Sequence, residues 1–383
     1  MDPGPLESLM DRLAETEGHE VHSLLIVRNG RLVFEEYFPG DKFNLAQYTG
    51  ESGFDRDDSH NLCSATKSFT SALVGIAIDL GLISSVEEKV FNFFPEHADL
   101  MAGDPLKAGL TIEDLLTMRS GIAWDDETYP YDDPRNDLHQ MFNTNHPIRY
   151  ILSKDILVTP GTVFQYSNCN TNLLGEIVRR TAKERLDEFS GEYLFSKIGV
   201  ADFQWQMVTS NMVFASGDLR LRPRDMAKFG LLFLNGGSWN GTQVISAEWV
   251  ELSTREHVSF DAGSIDMWED GYAYQWWLWD SIFGVRVQAY MAQGWGGQWI
   301  VVWPEMNMVI VSTGGNYYSD PLVPIQAMLV DYILPAVEAQ RIPGNDRPSV
   351  SVFTSGTAGA AKGAAAASRG MRSLDSPQQG EER

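Results

Sequence analysis

The chain of 383 residues lacks the features that mark several protein classes. It has no run of about 18 apolar residues, so no membrane-spanning helix is expected. Two cysteines, Cys63 and Cys169, are too few for a disulfide framework, and we expect a reduced, buried pair. The seven histidines form neither HExxH nor a helical His pair with a carboxylate. We therefore expect no metal and no cofactor.

Positive charge is also scarce: 29 Lys and Arg face 52 Asp and Glu, for a formal net charge of −23. This field repels phosphate backbones and anionic membrane surfaces, which disfavours nucleic acid as a partner. The first twenty residues are acidic and amphipathic and lack the basic-then-apolar layout of a signal peptide. We expect a cytoplasmic protein, or a periplasmic or secreted one if a leader has been removed.

The hydrophobic fraction of 43% is enough for a large core. A hairpin is predicted at the start, around Asn29-Gly30, and short aromatic and β-branched strands follow residue 271. Helical patterns lie between these two regions. The predicted class is α+β, with an antiparallel sheet built from both chain ends. The predicted strands are 22–27, 32–37, 272–279, 285–292, 298–303 and 308–313, and the predicted helices are 6–14, 64–80, 111–118, 173–180, 223–234, 247–253 and 322–337.

The predicted domain covers residues 1–344. Its sheet lobe comprises approximately 1–60 and 270–344, and its mostly helical middle lobe approximately 61–269. Residues 345–383 are rich in Gly, Ala, Ser and Pro with few large apolar side chains, which predicts a disordered tail.

Ser64-Ala-Thr-Lys67 is the first candidate motif, at the start of a predicted helix. Residues three apart share a helix face, which brings the hydroxyl and the amine together. A lysine can take a serine proton if desolvation or a neighbouring cation lowers its pKa. The alternative is an ordinary capped helix with a surface lysine.

Tyr166-Ser167-Asn168 is the second motif, between a Pro-Gly turn and an apolar helix. A nearby lysine cation favours a phenolate, which would let Tyr166 act as a general base. Asn168 could donate to Lys67 or to a substrate carbonyl. The alternative is a core tyrosine at a turn.

The third motif runs from Gly294 to Trp299, as Gly-Trp-Gly-Gly-Gln-Trp, and leads into a strand. Consecutive glycines there allow a ligand or another backbone to approach closely. The alternative is a bulge or tight turn.

The three motifs, in this order, resemble the class C β-lactamase-like serine hydrolases, which include esterases, D-amino-acid peptidases and 6-aminohexanoate-oligomer hydrolases. The resemblance extends from about His22 to Val337 and includes the flanking segments 111–121 and 221–230. It implies the β-lactamase/penicillin-binding-protein fold and a small-molecule ester or amide substrate.

Carried over by residue, the resemblance implies catalytic Ser64, Lys67 and Tyr166. It implies substrate binding by Asn168, Trp295, Gly296, Gly297 and Gln298. The oxyanion hole would be the backbone N–H groups of Ser64 and Gln298.

Trp295 departs from the family pattern, where Lys-Thr-Gly or His-x-Gly is usual. An indole carries no cation for a β-lactam carboxylate, so carboxylic esters and linear amides become the expected substrates. A β-lactamase, a D-amino-acid peptidase and a non-catalytic binding module remain alternatives. Aromatic residues 276–279 and Tyr290 could wall an acyl pocket, although core packing is favoured for most. The acidic loop of Asp125, Asp126, Glu127, Asp132 and Asp133 could meet a cationic amine, but a solvated surface is favoured.

Overall fold

The computed structural model describes residues 1–44, 47–260 and 269–338, and its largest element is an eight-stranded antiparallel sheet. The spatial order of the strands is β3-β4-β5-β6-β7-β8-β1-β2. In chain order these strands are β1 Val21–Arg28, β2 Arg31–Tyr37, β3 Val258–Ser259, β4 Gly271–Tyr272, β5 Trp277–Ile282, β6 Val285–Gly294, β7 Gln298–Trp303 and β8 Met308–Gly314.

Both ends of the chain contribute to this sheet, as predicted. Strand β1 pairs on one side with β2 and on the other with β8, where Ile26 lies opposite Ile310. The β1–β2 turn has positive φ at Asn29 (52°) and Gly30 (70°), the conformation that the Asn-Gly pair favours. The α+β prediction with an antiparallel sheet is confirmed.

Shorter strands lie outside the main sheet. Pro39–Asn44 pairs with Gln47–Gly53. The remaining short strands are His60–Asn61, Gln204–Trp205, Met207–Thr209, Met212–Val213, Leu219–Leu221, Ser238–Trp239 and Thr242–Gln243.

Five α-helices of eight or more residues occur in the described ranges: α1 Pro3–Glu15, α2 Thr66–Asp79, α3 Asn168–Ala182, α4 Pro223–Leu234 and α5 Ala247–Thr254. Within the same ranges, no helix has the length and apolar character needed to cross a membrane. Shorter helices are Ala98–Met101, Pro105–Gly109, Ile112–Leu116, Asp137–Phe142, Pro147–Ser153, Leu186–Ser190, Ile325–Ala327 and Leu334–Glu338.

Tighter or wider helical turns extend several of these helices. The 3₁₀ turns are Cys63–Ala65, Val90–Phe93, Pro95–His97 and Pro304–Met306, and the π segments are Gly191–Phe195 and Met328–Ile333.

The sheet has a hydrophobic layer on each face. Alternate residues of β1 point to opposite faces, as the strand period requires. Leu25 packs toward the helices of the middle of the chain, and Ile26 toward α1 and the C-terminal helices. Helix α2 is buried on nearly all sides and lies at the centre of the first layer. The helical middle and the sheet therefore share one core.

Two sequence predictions need qualification. The strand predicted over 272–279 is wrong as a single element, because residues 273–276 separate β4 from β5. Gln275 has a φ of 64° there. Its buried side-chain amide donates to the Leu115 and Leu116 carbonyls and accepts from the Thr171 hydroxyl, and the residue takes no part in strand pairing. The tail predicted over 345–383 lies outside the described residues, and the domain boundaries remain a prediction.

Candidate active site

Ser64 lies in the 3₁₀ turn Cys63–Ala65, which continues into α2. Lys67 follows in the first turn of that helix, so its side chain and that of Ser64 share one face. Lys67 Nζ lies 3.0 Å from Ser64 Oγ. The predicted juxtaposition is therefore present. Ser64 itself is only partly buried, which leaves its hydroxyl open to a substrate.

Lys67 is 1% exposed, which eliminates the surface-lysine alternative. Besides Ser64, it donates to Asn168 Oδ1 at 2.8 Å and to the Ser216 carbonyl at 2.8 Å. Burial lowers its pKa to about 7, while the nearby carboxylate of Asp126 acts in the opposite direction. An amine in this range exists in both protonation states near neutral pH.

Asn168 begins α3 and has both ends of its amide engaged. Its Oδ1 accepts from Lys67, so the prediction that Asn168 donates to Lys67 is wrong. Its Nδ2 instead donates to Asp126 Oδ2 at 2.7 Å. Asn168 thus links the lysine to a carboxylate.

Asp126 is the largest departure from the predicted solvated acidic loop. It is 5% exposed, whereas its neighbour Glu127 is exposed as expected. Its Oδ2 also accepts from the Asn168 backbone N–H (3.0 Å) and from Trp124 Nε1 (2.8 Å). Burial raises the pKa of this carboxyl, and the N–H donors oppose that rise. A charged group can remain buried here because it is hydrogen-bonded.

Tyr166 lies over the same centre, with Lys67 Nζ 4.9 Å from the centre of its ring. Trp277 stacks on the tyrosine at 5.2 Å, and Tyr272 meets it edge-on at 6.3 Å. Burial raises the pKa of Tyr166, although a hydrogen bond with the Ser64 hydroxyl opposes this. The expected phenolate is therefore disfavoured, and Tyr166 carries a neutral phenol at neutral pH.

The segment from Gly294 to Gln298 forms the turn between β6 and β7 and packs against the start of the Ser64 turn. A Cβ on Gly294 would lie 2.0 Å from the Leu62 carbonyl oxygen, so only glycine fits. Gly296 and Gly297 have φ of 85° and 93°, which glycine adopts without strain. The predicted close backbone approach is confirmed.

Trp295 projects from this turn into a group of aromatic rings. Its ring lies 5.2 Å from that of Tyr317, 6.2 Å from that of Tyr131 and 6.3 Å from that of Tyr318. The Gln298 side chain is fully buried and donates to the Gly314 carbonyl at 2.7 Å, which makes it part of the scaffold. The backbone of Gln298 pairs with Gly294, beside the Ser64 turn.

The aromatic residues of β5 and its neighbours mostly fill the core, as favoured. Trp276, Trp279 and Tyr290 are buried in the hydrophobic layers. Trp277 differs, because it is partly exposed and stacks on Tyr166.

Both cysteines are free thiols, as expected. Cys169 is buried, whereas Cys63 is only partly buried and shares a hydrogen bond with the Tyr317 side chain. Among the described residues, no three His, Cys, Asp or Glu side chains form a group that could hold a metal ion.

Sequence reasoning missed Ser216, Tyr131 and Tyr317 as neighbours of the site, and it did not predict that Asp126 is buried against Asn168. Ser216 acts through its carbonyl, for which a side-chain pattern carries no signal. The sequence Ser216-Gly217-Asp218 does indicate a turn, and Asp218 has a φ of 59°. The local pattern that could have pointed to Asp126 is its position two residues after Trp124, whose indole N–H donates to it.

The sheet, the central helix and the Ser64–Lys67–Tyr166 centre together define the β-lactamase/penicillin-binding-protein fold class. The sequence profile of the β-lactamase family matches residues 6–314. The chain belongs to that family.

Several proteins that the chain resembles are hydrolases. The chain is 28% identical over 287 residues to a 6-aminohexanoate-dimer hydrolase of Paenarthrobacter ureafaciens, covering 71% of this chain and 67% of that one. A Bacillus anthracis structure assigned as a 6-aminohexanoate-dimer hydrolase has a TM-score of 0.68 and 25% identity, with 88% and 83% of the two chains covered. A family VIII carboxylesterase shares the fold, with a TM-score of 0.65, 16% identity and coverage of 88% and 96%. These likenesses support a serine hydrolase.

Proposed function

We propose that this protein cleaves carboxylic esters or linear amides through an acyl-enzyme on Ser64. The observation that carries the proposal is the pairing of Ser64 with Lys67, 3.0 Å away, whose pKa burial lowers to about 7. A neutral amine at that distance can accept the serine proton as the hydroxyl attacks.

In acylation, Ser64 Oγ attacks the carbonyl carbon and its proton passes to neutral Lys67. The backbone N–H groups of Ser64 and Gln298 stabilise the oxyanion. Tyr166, a neutral phenol with a raised pKa, relays the proton to the leaving alcohol or amine. Water then attacks the acyl-enzyme as neutral Lys67 takes its proton, the bond between the acyl group and Ser64 Oγ breaks, and the proton returns to Ser64 Oγ.

The charge around the site favours neutral or cationic substrates over anionic ones. The groups that act on Lys67 and Tyr166 include the acidic side chains Asp126, Glu127, Asp218 and Glu269. Trp295 contributes an indole among aromatic rings where many relatives would place a cation. This surrounding supports esters and linear amides over β-lactams, whose carboxylate it would repel. A substrate ammonium would fit beside the exposed Glu127.

The test is a hydrolysis panel of a short-chain nitrophenyl ester, a 6-aminohexanoate dimer and a chromogenic cephalosporin. We expect turnover of the ester, the dimer or both, with kcat/KM for the cephalosporin at least tenfold lower, about the effect of one unfavourable charge contact. Faster cephalosporin turnover would assign the protein as a β-lactamase instead. Ser64→Ala is the control, and activity that survives in this variant would refute the acyl-enzyme. A folded wild type inactive on all three, and unlabelled by a fluorophosphonate, would favour a binding module.

A further inference from the structure

Asp126 joins the acidic loop after Trp124 to the catalytic lysine through the Asn168 side chain. A single oxygen, Oδ2, accepts from Trp124 Nε1, from the Asn168 backbone and from the Asn168 side chain. Three N–H donors on one oxygen stabilise the charged carboxylate. The site therefore holds a buried negative charge that is linked to Lys67 through the Asn168 side chain.

This contact determines which end of the Asn168 amide faces Lys67. With Nδ2 donating to Asp126, Oδ1 must point the other way, where it accepts from Lys67 at 2.8 Å. The reversed amide would set its NH₂ group against the lysine amine and its oxygen against the carboxylate. The oxygen would repel the carboxylate, and the NH₂ group would repel Lys67 in its protonated form, so the carboxylate selects the observed orientation.

We propose that Asp126 is a positioning residue, which fixes Asn168 so that Lys67 is aimed at Ser64 and which places a carboxylate beside the lysine. This inference rests on the proposed function, because it assigns Asp126 a part in the same proton transfer. Asp126 acts through Asn168 and does not touch the reacting atoms.

The other groups that face Lys67 set the direction of the expected change. Asp126, Cys63, Asp218 and Glu127 all raise the pKa of Lys67, whereas burial lowers it, and burial dominates. Tyr166 faces Lys67 as a neutral phenol. Removal of the Asp126 charge must lower the pKa of Lys67 further. The neutral base then persists to lower pH, and the acidic limb of the kcat/KM profile moves the same way.

The test is the pH profile of Asp126→Asn, which keeps the size and an acceptor oxygen. We expect the acidic limb to move down by about one pH unit. We also expect the plateau kcat to fall about tenfold, because a neutral acceptor holds Asn168 less firmly. Asp133→Asn is the matched control, because Asp133 is an acid of the same loop whose partner is Arg135. Its profile should follow the wild type.

If the acidic limb of the kcat/KM profile of Asp126→Asn stays at the wild-type pH, the inference is overturned, whatever the loss of rate. If that variant does not fold, Asn168→Leu removes the link and keeps the charge. The plateau kcat of this variant should fall, and the acidic limb of its kcat/KM profile should stay near the wild-type pH. An unchanged plateau kcat would overturn the inference.

Trp124→Phe removes only one of the donors to Asp126. A fall in kcat as large as that of Asp126→Asn would indicate only that the loop has loosened. Ser64→Ala separates the two proposals, since its full activity would refute the proposed function itself.

Discussion

Two of the regions that bury basic side chains leave them in different states. Lys67 has three hydrogen-bond acceptors and lies near Asp126, Asp218 and Glu127, and its pKa falls only to about 7. The second region is the histidine pair His22 and His60, whose ring nitrogens lie 3.3 Å apart. Burial lowers the pKa of His22 to about 2 and that of His60 to about 4.

The difference lies in the ordinary pKa of each group and in the charges around it. His22 has Phe54 stacked on it at 3.9 Å and the Glu20 carboxylate 3.5 Å from its Nε2, while the cations of Arg220 and Lys42 act on His60. Both histidines stay neutral at any physiological pH. Burial lowers the pKa of both kinds of group, but lysine starts from 10.5 and histidine from 6.5. The buried lysine therefore ends where it can exchange a proton near neutral pH, and the buried histidines end below that range.

The largest effect is expected when the Lys67 amine is removed. Lys67→Met keeps the length of the side chain and abolishes the base, so kcat should fall about 1000-fold. The folded protein should melt at or above the wild-type temperature, because a costly buried amine is gone. Steady-state kinetics and a thermal melt measure both. A variant within tenfold of the wild-type rate would place the base elsewhere.

The next effect tests how the Lys67 region is held together. In Gly294→Ala the new Cβ would lie 2.0 Å from the Leu62 carbonyl oxygen, which forces β6 away from the Ser64 turn. We expect kcat to fall about 100-fold, the scale of a displacement near 1 Å. Gly109→Ala is the control, since no atom lies within 4 Å of its Cβ. Equal rates in the two variants would show that the close approach is not needed.

The histidine pair should affect the free energy of unfolding at acidic pH and leave the rate of hydrolysis unchanged. Unfolded His60 titrates near 6.5 and the folded residue near 4, so the unfolded chain takes up the proton first as pH falls. The stability is complete above pH 6.5 and declines toward pH 4, by about 3 kcal/mol for this residue. In His60→Gln, the free energy of unfolding should decline less as the pH falls, because this contribution is absent.

Urea unfolding at pH 7.5 and pH 4.5 measures the free energy of unfolding for both proteins. The difference between the two pH values should be smaller in His60→Gln than in the wild type. An identical difference would mean that His60 is not held neutral. The acidic limb of the kcat/KM profile should stay in place, because Lys67 sets it.

The smallest effect concerns charge at the mouth of the Lys67 region. Trp295→Lys adds a cation among Tyr131, Tyr317 and Tyr318. The ratio of cephalosporin to ester kcat/KM should rise several-fold, because a partly solvated charge contact is modest. Trp295→Met is the uncharged control. A rise of equal size in both variants would point to space and not to charge.

Much of this arrangement can be predicted from local sequence. Asn29-Gly30 predicts the hairpin because only certain residues accept its positive φ, and the pattern over 223–234 gives the α4 helix with its observed bounds. Ser64 and Lys67 are three apart on a helix, so their contact follows from helical spacing. The Tyr166 and Gly294 motifs come near Ser64 as the family resemblance implies.

The rest depends on long-range packing. Asp126 belongs to an acidic loop that solvation would favour on charge alone, and its burial follows from donors on Trp124 and Asn168. The expected Tyr166 phenolate fails for a similar reason, since Trp277, far along the chain, covers the ring. Desolvation by distant residues leaves no mark in a local pattern.

The most direct test of the account is the pH dependence of covalent labelling. Fluorophosphonate modification is followed by mass spectrometry from pH 5 to pH 9, which locates the adduct and gives its rate. The account predicts a single adduct on Ser64, with a rate that rises through a midpoint near the Lys67 pKa of about 7. An adduct on another residue, or a Ser64 rate that keeps rising without a midpoint below pH 9, would contradict it.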